Sequence, residues 1–385
     1  MGKINSVLML SQTFYPAIGG SEKQALELSR ALAARGIKVV VLTRRIENAP
    51  PRETIDGVAV RRLRTLGSGA VDSIVFMIKS FFYLLKNAAD YDVVHVHLAS
   101  SPAVAASLAS MVTGKRSVVK LGGGRGVDEI TLSMKTLLGR LKLKFFQFAG
   151  PELLVMNNEV YNWLKNEPAF SGLKLRHFRN GVDTGKYSPL SYQEKISAKS
   201  ALGFENFTIF LFVGRLSPEK RIKEFVETWA EVFLEERVKP RMRLVIVGKG
   251  PESENIRKAV NDLGVSETVT LAGARDDLKP YYGAADVFVL PSISEGLSNS
   301  MLEAMACGDA IMAGRVGGAR EAVVEGVNGC LFDPQSRQEI KACIKKLMSD
   351  KTMPLKMGEK SREIAVNKYS MAKVTEELLK IYEEA

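Results

Sequence analysis

Runs of strand length, apolar almost throughout, alternate along this chain with longer stretches of helical periodicity. That alternation admits few folds. Strands apolar on both sides must be covered on both sides, and the intervening helices supply the cover. Candidate strands lie at 4–10, 37–43, 57–63, 92–97, 116–121 and 152–156, then at 207–213, 242–247, 267–271, 286–290 and 310–313. Candidate helices lie at 20–35, 72–88, 101–112 and 131–148, then at 219–235, 252–263, 297–306, 336–348, 354–366 and 371–384. The pattern predicts an α/β protein of two doubly wound, parallel-sheet, Rossmann-like domains, for which 385 residues suffice. The turn-rich stretch 180–200 holds the boundary: 1–185 form the first domain, 186–370 the second, and 371–385 a final helix.

Charge separates the halves. Lys and Arg number 54 against 43 Asp and Glu, a net +11. Residues 1–190 hold 26 of those cations and 14 of the acids, so the first half carries the whole excess. Such an excess suits an acidic partner: nucleic acid, an anionic membrane or a phosphorylated substrate. Part of it lies in 131–148, where Lys135, Arg140, Lys142 and Lys144 stand among Leu, Met and Phe with no acid. That stretch reads either as a basic amphipathic helix for an anionic lipid surface or as a core-packed helix with a solvated cationic face. Arg61, Arg62 and Arg64 add to the same domain's charge. No stretch has the length of a membrane span and no signal peptide is recognisable. Three cysteines, Cys307, Cys330 and Cys343, without paired spacing point to a reducing compartment. The expected location is cytoplasmic, with peripheral attachment to the membrane open. Met1-Gly2-Lys3-Ile4-Asn5-Ser6 matches a myristoylation pattern, though a strand start explains it as well.

Open α/β sheets bind ligands at the carboxyl ends of their strands, and the notable motifs sit there. Tyr15-Pro16-Ala17-Ile18-Gly19-Gly20-Ser21-Glu22 follows the first strand and opens a helix. Gly19 and Gly20 permit close backbone approach to a phosphate at a helix N-terminus; a plain turn capped by Ser21 is the alternative. In Asp92-Val93-Val94-His95-Val96-His97 both histidines share a strand face. They are core residues or, for His97 near the tip, a substrate contact; no further ligands are at hand for a metal. Leu121-Gly122-Gly123-Gly124-Arg125-Gly126 is an acceptor-side loop or a structural turn.

In Gly214-Arg215-Leu216-Ser217-Pro218-Glu219-Lys220-Arg221, Ser217 can cap a helix that opens on Pro218. Arg215 and Lys220 then flank a helix start as a planar fork and a point charge, the outline of a diphosphate clamp. In Ser294-Glu295-Gly296-Leu297-Ser298-Asn299, Glu295 lies in a loop and the amides that follow offer an anion or hydroxyl site. Glu303, eight residues on among Leu302, Ala304 and Met305, needs buried partners: vicinal hydroxyls such as a ribose's, or an internal salt bridge.

These motifs, with Asn180-Gly181-Val182-Asp183, Val247-Gly248-Lys249-Gly250-Pro251, Ala285–Ser292 and Gly317-Gly318-x-x-Glu321, occur in an order that resembles a large family. It is that of the retaining, nucleotide-sugar-dependent glycosyltransferases with the GT-B fold, family 4. The likeness spans about residues 4–380 and implies two domains facing a cleft, with 371–384 crossing back to the first. It implies roles as well. Gly19, Gly20 and Gly214 would lie at the donor, a UDP- or GDP-sugar. Arg215 and Lys220 would neutralise the leaving diphosphate, and Glu303 would hold the ribose. Glu295, Gly296, Leu297, Ser298 and Asn299 would contact the donor sugar, and His97 would touch it from the first domain. No metal or other cofactor is implied. The acceptor is open, with a lipid-linked one favoured by the basic half. This chain has Gly-Leu-Ser-Asn-Ser after Glu295 where many relatives have Gly-Phe-Gly-Leu, and Leu121-Gly122 where many have His-Gly. A same-fold epimerase, or a basic nucleic-acid-binding protein, is the competing reading; no nucleic-acid module is present.

Overall fold

The computed structural model describes residues 3–16, 19–47, 49–66, 69–126, 128–235, 241–350 and 352–384. Met1-Gly2 of the myristoylation pattern, and Ala17 and Ile18 of the first glycine motif, lie outside them. Two units form, one of 1–181 with 371–385 and one of 182–370.

The first unit holds strands β1 (Ser6–Ser11), β2 (Lys38–Arg44), β3 (Arg52–Ile55), β4 (Val58–Leu63), β5 (Val93–His97), β6 (Arg116–Lys120), β7 (Glu152–Val155) and β8 (Lys174–His177). They build one sheet in the order β3-β4-β2-β1-β5-β6-β7-β8, parallel except for the β3–β4 pair. Its helices are α1 (Gly20–Ala33), α2 (Gly69–Lys86), α3 (Ser101–Thr113), α4 (Glu129–Met134), α5 (Leu137–Ala149) and α6 (Asn158–Asn166). The second unit begins with α7 (Tyr192–Ala201) and holds β9 (Thr208–Val213), β10 (Met242–Val247), β11 (Val269–Gly273), β12 (Val287–Leu290), β13 (Ala310–Gly314) and β14 (Gly329–Phe332). Its sheet is parallel throughout, in the order β11-β10-β9-β12-β13-β14. The helices α8 (Ile222–Glu235), α9 (Ser253–Asp262), α10 (Lys279–Ala284), α11 (Asn299–Cys307), α12 (Ala319–Ala322), α13 (Arg337–Ser349) and α14 (Thr352–Ile364) cover it. The last helix, α15 (Met371–Glu384), belongs to the first unit.

Each face of the first sheet has its own core. Phe76, Leu84, Ala106 and Phe146 pack on one side; Leu28, Leu32, Leu378 and Tyr382 pack on the other. Among the described residues no helix is long and apolar enough to cross a membrane.

Several local expectations need correction. The turn-rich stretch 180–200 carries most of α7, whose N-terminus has a capping box in which Ser191 and Glu194 exchange hydrogen bonds. The units part at 181/182, within that stretch. The single helix expected over 131–148 is two, because Thr136 turns extended and caps α5 through the Gly139 amide at 3.1 Å. Arg62 is no surface cation: it is buried, pairs with Glu53 and donates to the Tyr15 carbonyl at 2.7 Å. Lys142 also turns inward, to the Ala99 carbonyl at 2.7 Å. The cysteine reading fails too. Strand β14 and helix α13 pack together and bring Cys330 and Cys343 into a disulfide, with Cα atoms 6.0 Å apart. The inference of a reducing compartment loses its premise.

His95 and His97 lie inside the first sheet, 0% and 1% exposed, with rings stacked 4.7 Å apart. His95 Nδ1 meets the Tyr382 hydroxyl of α15 at 2.6 Å, while among the described residues neither nitrogen of His97 has a hydrogen-bond partner. Burial, with the nearby Lys120 charge, pushes His95 down to about 3. Burial, then His95 and Lys120, hold His97 well below its ordinary value. Both stay neutral in the fold and take up protons only on unfolding. Their contribution is complete above about pH 6.5 and is lost as pH falls below it, by about 1.4 kcal/mol per pH unit for each histidine. Hydrogen exchange of the β5 amides between pH 6.5 and 5 checks this. His97→Gln should flatten the decline by one such increment, and an unchanged slope would refute it.

Candidate active site

In the second unit the chain winds outward from β9 to β10 and β11, then returns to the other side of β9 with β12. Loops leaving β9 and β12 diverge to opposite faces and leave a crevice at their carboxyl ends, the topological switch point. Arg215 and Lys220 follow β9, and Glu295 follows β12.

Lys220 Nζ donates to Glu295 Oε2 at 2.5 Å, and both side chains are under one-fifth exposed. A second strap runs beside it, from the Ile293 amide to the Glu219 carbonyl at 2.9 Å. Arg215 is exposed, and among the described residues its guanidinium makes no ion pair. The expected helix start is displaced. Ser217 makes no cap; its hydroxyl donates to Glu219 at 2.5 Å. Pro218–Lys220 form a 3-10 turn, Arg221 adopts φ 53°, and α8 begins only at Ile222.

Glycine contacts hold these loops. Gly248, at φ 146°, would place a Cβ 1.8 Å from the Gly214 carbonyl oxygen, which locks the loop after β10 against that after β9. Gly317, at φ 45°, would place one 1.8 Å from the Glu295 carbonyl oxygen. Next to it the Gly318 amide donates to the Gly296 carbonyl at 2.6 Å. Neither position admits a side chain, so both loops approach by backbone alone.

Ser298 caps α11 through the Met301 amide at 3.3 Å. Leu297 and Ser298 are buried and Asn299 is half-buried. Glu303 is 4% exposed and accepts from the Tyr282 hydroxyl at 3.0 Å. Burial and the Glu303 charge push the Tyr282 hydroxyl well above its ordinary value, so it remains a donor.

In the first unit the order reverses between β1 and β5. Gly19 is the extended N-cap of α1 and has no side-chain cap of its own, so Ser21 is not the cap. The Glu22 carboxylate, which accepts from the Thr13 hydroxyl, folds back to within 2.2 Å of where a Cβ on Gly19 would lie. An anion thus stands at the helix N-terminus, where its dipole is favourable. His97 does not meet the expectation of a substrate contact: it is a core residue. In the Gly122–Gly126 loop, the Gly122 amide is bound by Glu129 at 2.8 Å and Arg125 stacks over Trp163 at 5.6 Å.

Two features escaped the sequence reading. Lys120, at the end of β6, is buried and donates to Asn180 Oδ1 at 2.6 Å; burial lowers it to about 7. A cavity of about 580 Å³ beyond β2 and β4 is lined by Arg45, Ile46, Glu47, Arg64 and Thr65. The only signal for either was a cation at the end of an apolar run.

Residues 193–364 match the family model of glycosyl transferases group 1, and residues 19–143 that of a glycosyl transferase 4-like domain. The chain belongs to the group 1 glycosyltransferases, enzymes of GT-B fold. It is 24% identical over 380 residues to N-acetyl-alpha-D-glucosaminyl L-malate synthase of Bacillus anthracis, covering 97% of this chain and 96% of that one. It is 26% identical over 305 residues to UDP-Gal:alpha-D-GlcNAc-diphosphoundecaprenol alpha-1,3-galactosyltransferase of Escherichia coli, covering 79% and 78%. Anabaena Alr3699/HepE, solved in complex with UDP, superposes with a TM-score of 0.78 at 19% identity, covering 99% of this chain and 100% of that one.

The geometry separates Arg215 from Lys220. Removing either cation from a leaving diphosphate should lower turnover on the order of 10²–10³-fold. Arg215→Ala should leave the melting temperature unchanged, because its side chain is exposed and unpaired. Lys220→Ala should also lower that temperature, since Glu295 is left half-buried without its partner. Steady-state rates and thermal melts check both, and near-normal turnover in the two variants would refute the clamp.

Proposed function

We propose that the protein moves a hexosyl unit from a UDP- or GDP-sugar to an acceptor hydroxyl with retention of configuration. The acceptor is lipid-linked and the enzyme works in cell-envelope glycoconjugate synthesis, on the cytoplasmic face of the membrane. The observation that carries the donor assignment is the Lys220–Glu295 pair beside unpaired Arg215 at the switch point of the second sheet. A diphosphate brings more negative charge to Lys220 than Glu295 does. It draws the ammonium away and frees the carboxylate to accept from sugar hydroxyls. Glu303 serves the ribose, with the Tyr282 hydroxyl donating to its Oε2. Gly19, Gly20, Gly214 and the segment Gly296–Asn299 bring backbone close to the donor.

In the reaction the bond from the anomeric carbon to the diphosphate oxygen breaks, and a bond from that carbon to the acceptor oxygen forms. The acceptor's proton passes to the leaving phosphate on the same face of the sugar, because among the described residues no carboxylate pair suits the acid and nucleophile of a double displacement. Charge builds on the diphosphate, where Arg215 and Lys220 stabilise it in the role a divalent ion would otherwise fill.

The name of the Escherichia coli relative joins a UDP-sugar to a lipid diphosphate acceptor, and the Anabaena structure holds UDP. Both support this reading over the epimerase alternative. The basic segment 131–148 supports a membrane-bound acceptor.

A thermal-shift screen of UDP-, GDP- and ADP-sugars tests the donor. The matching donor at about 100 times Kd should stabilise the fold by roughly 2.7 kcal/mol, with EDTA making no difference. Proton NMR of the product reads the anomeric configuration. Stabilisation by none of the donors would overturn the assignment, and an inverted product would overturn the front-face mechanism.

A further inference from the structure

We propose that the outward sides of α2, α3 and the α4–α5 pair form one surface that docks on an anionic lipid bilayer. This deepens the reading of a membrane-bound acceptor and rests on it for its purpose, while the geometry stands separately.

Helix α2 is apolar on more than the side it buries. Its buried positions are Asp72, Phe76, Ser80 and Leu84, whereas Val71, Ile74, Ile78 and Phe82 are 47–63% exposed. These four repeat at helical spacing and form a continuous outward stripe. A surface helix should send its polar residues out. Here Asp72 is accommodated inside by pairing with Arg44, and the Ser80 hydroxyl is buried with no partner. The outward apolar stripe is therefore additional to the apolar side, Phe76 and Leu84, that the helix buries.

The neighbours continue it. Helix α2 packs along α3, and α3 against α5. Met111 and Val112 of α3 are 48% and 69% exposed, and Leu138 and Phe148 of α5 are 80% and 78% exposed. More than half of the large exposed apolar side chains among the described residues lie on α2–α5. The other face of the same sheet is ordinary: α15 turns out Lys373, Glu376 and Lys380, the last two as an ion pair.

Charge selects the occupant. Lys79, Lys86, Lys135, Arg140 and Lys144 lie on or between these helices, and among the described residues none is ion-paired. Lys86 continues the stripe one turn after Phe82, and Lys144 falls between Leu141 and Phe148. The carboxylates of these helices, Asp72 and Glu129, are withdrawn: one pairs with Arg44 and the other binds the Gly122 amide. In the second unit, by contrast, Arg337, Lys341 and Lys345 of α13 are tied to Glu227, Glu231 and Glu235 of α8. Apolar side chains edged by unpaired cations match the acyl boundary and headgroups of an anionic leaflet. A second copy of the chain would oppose cations to cations.

Flotation of the full chain with phosphatidylcholine vesicles, with and without about 30% phosphatidylglycerol, tests the surface. Wild type should float only with the anionic vesicles and be released as salt is raised. Joint Lys135→Ala, Arg140→Ala and Lys144→Ala should weaken binding about a hundredfold, roughly fivefold per cation. Joint Ile78→Asp and Phe82→Asp should abolish flotation with an unchanged melting temperature. If that pair fails to fold, Leu138→Asp with Phe148→Asp asks the same of α5. Equal binding to neutral vesicles, no flotation of wild type, or a dimer in sedimentation equilibrium split by Phe82→Asp would each overturn the proposal. Donor stabilisation is read on the same samples. Lost flotation with intact donor binding overturns only the docking surface, and intact flotation without any donor response overturns only the transferase chemistry proposed above.

Discussion

The contact between Lys220 and Glu295 joins two loops that a doubly wound sheet sends in opposite directions. Parallel strands point all their carboxyl ends to one edge, and reversal of the winding beside β9 opens a gap there that no helix fills. A gap needs walls, and backbone contacts at Gly248 and Gly317 supply them by pressing the loops after β10 and β13 onto those after β9 and β12. The ion pair closes the gap from within. A half-buried pair gains little net stability from its charges, but either partner alone would be costly. The site is therefore held in a form that an incoming anion can take over by substitution, without first exposing an unpaired charge.

The same logic recurs in the first unit. Glu22 folds over the N-terminus of α1, and Glu129 occupies the Gly122 amide. In both, a carboxylate of the chain's own sits where backbone amides could meet an acidic ligand. Lys120 is the exception, a buried amine that donates to the neutral Asn180 and lies over the Phe178 ring, with no carboxylate beside it among the described residues. Its lowered pKa follows from burial.

What the sequence disclosed follows burial. Central strands are apolar on both faces, so β1, β5, β9 and β12 were legible as continuous runs. Strands β3, β8 and β14 lie at sheet edges, where a face or a row of amides meets solvent or a loop, and their short mixed sequences carry no such run. Motif positions were legible because loops after parallel strands converge. The state of each side chain was not: that Lys220 faces Glu295, that His97 turns into the core, and that Cys330 meets Cys343 depend on contacts between distant segments. The break between α4 and α5 hung on one Thr136 hydroxyl, a capping signal weaker than the apolar periodicity running through it.

Sequence periodicity also hid the contrast between the two units' surfaces. A hydrophobic stripe reads as the buried side of a helix, so α2 looked ordinary until Val71, Ile74, Ile78 and Phe82 proved to face outward while Phe76 and Leu84 face inward. Net charge was equally ambiguous, since a solvated cationic face and a lipid-binding face have the same composition. Pairing distinguishes them. Where the chain exposes cations with nothing to bind, it places carboxylates within reach, as α8 does for α13. On α2–α5 it withdraws them. Withholding counter-charges while turning apolar side chains outward costs solubility twice over, and such a surface is tolerated only where a partner of opposite charge and matching apolarity covers it.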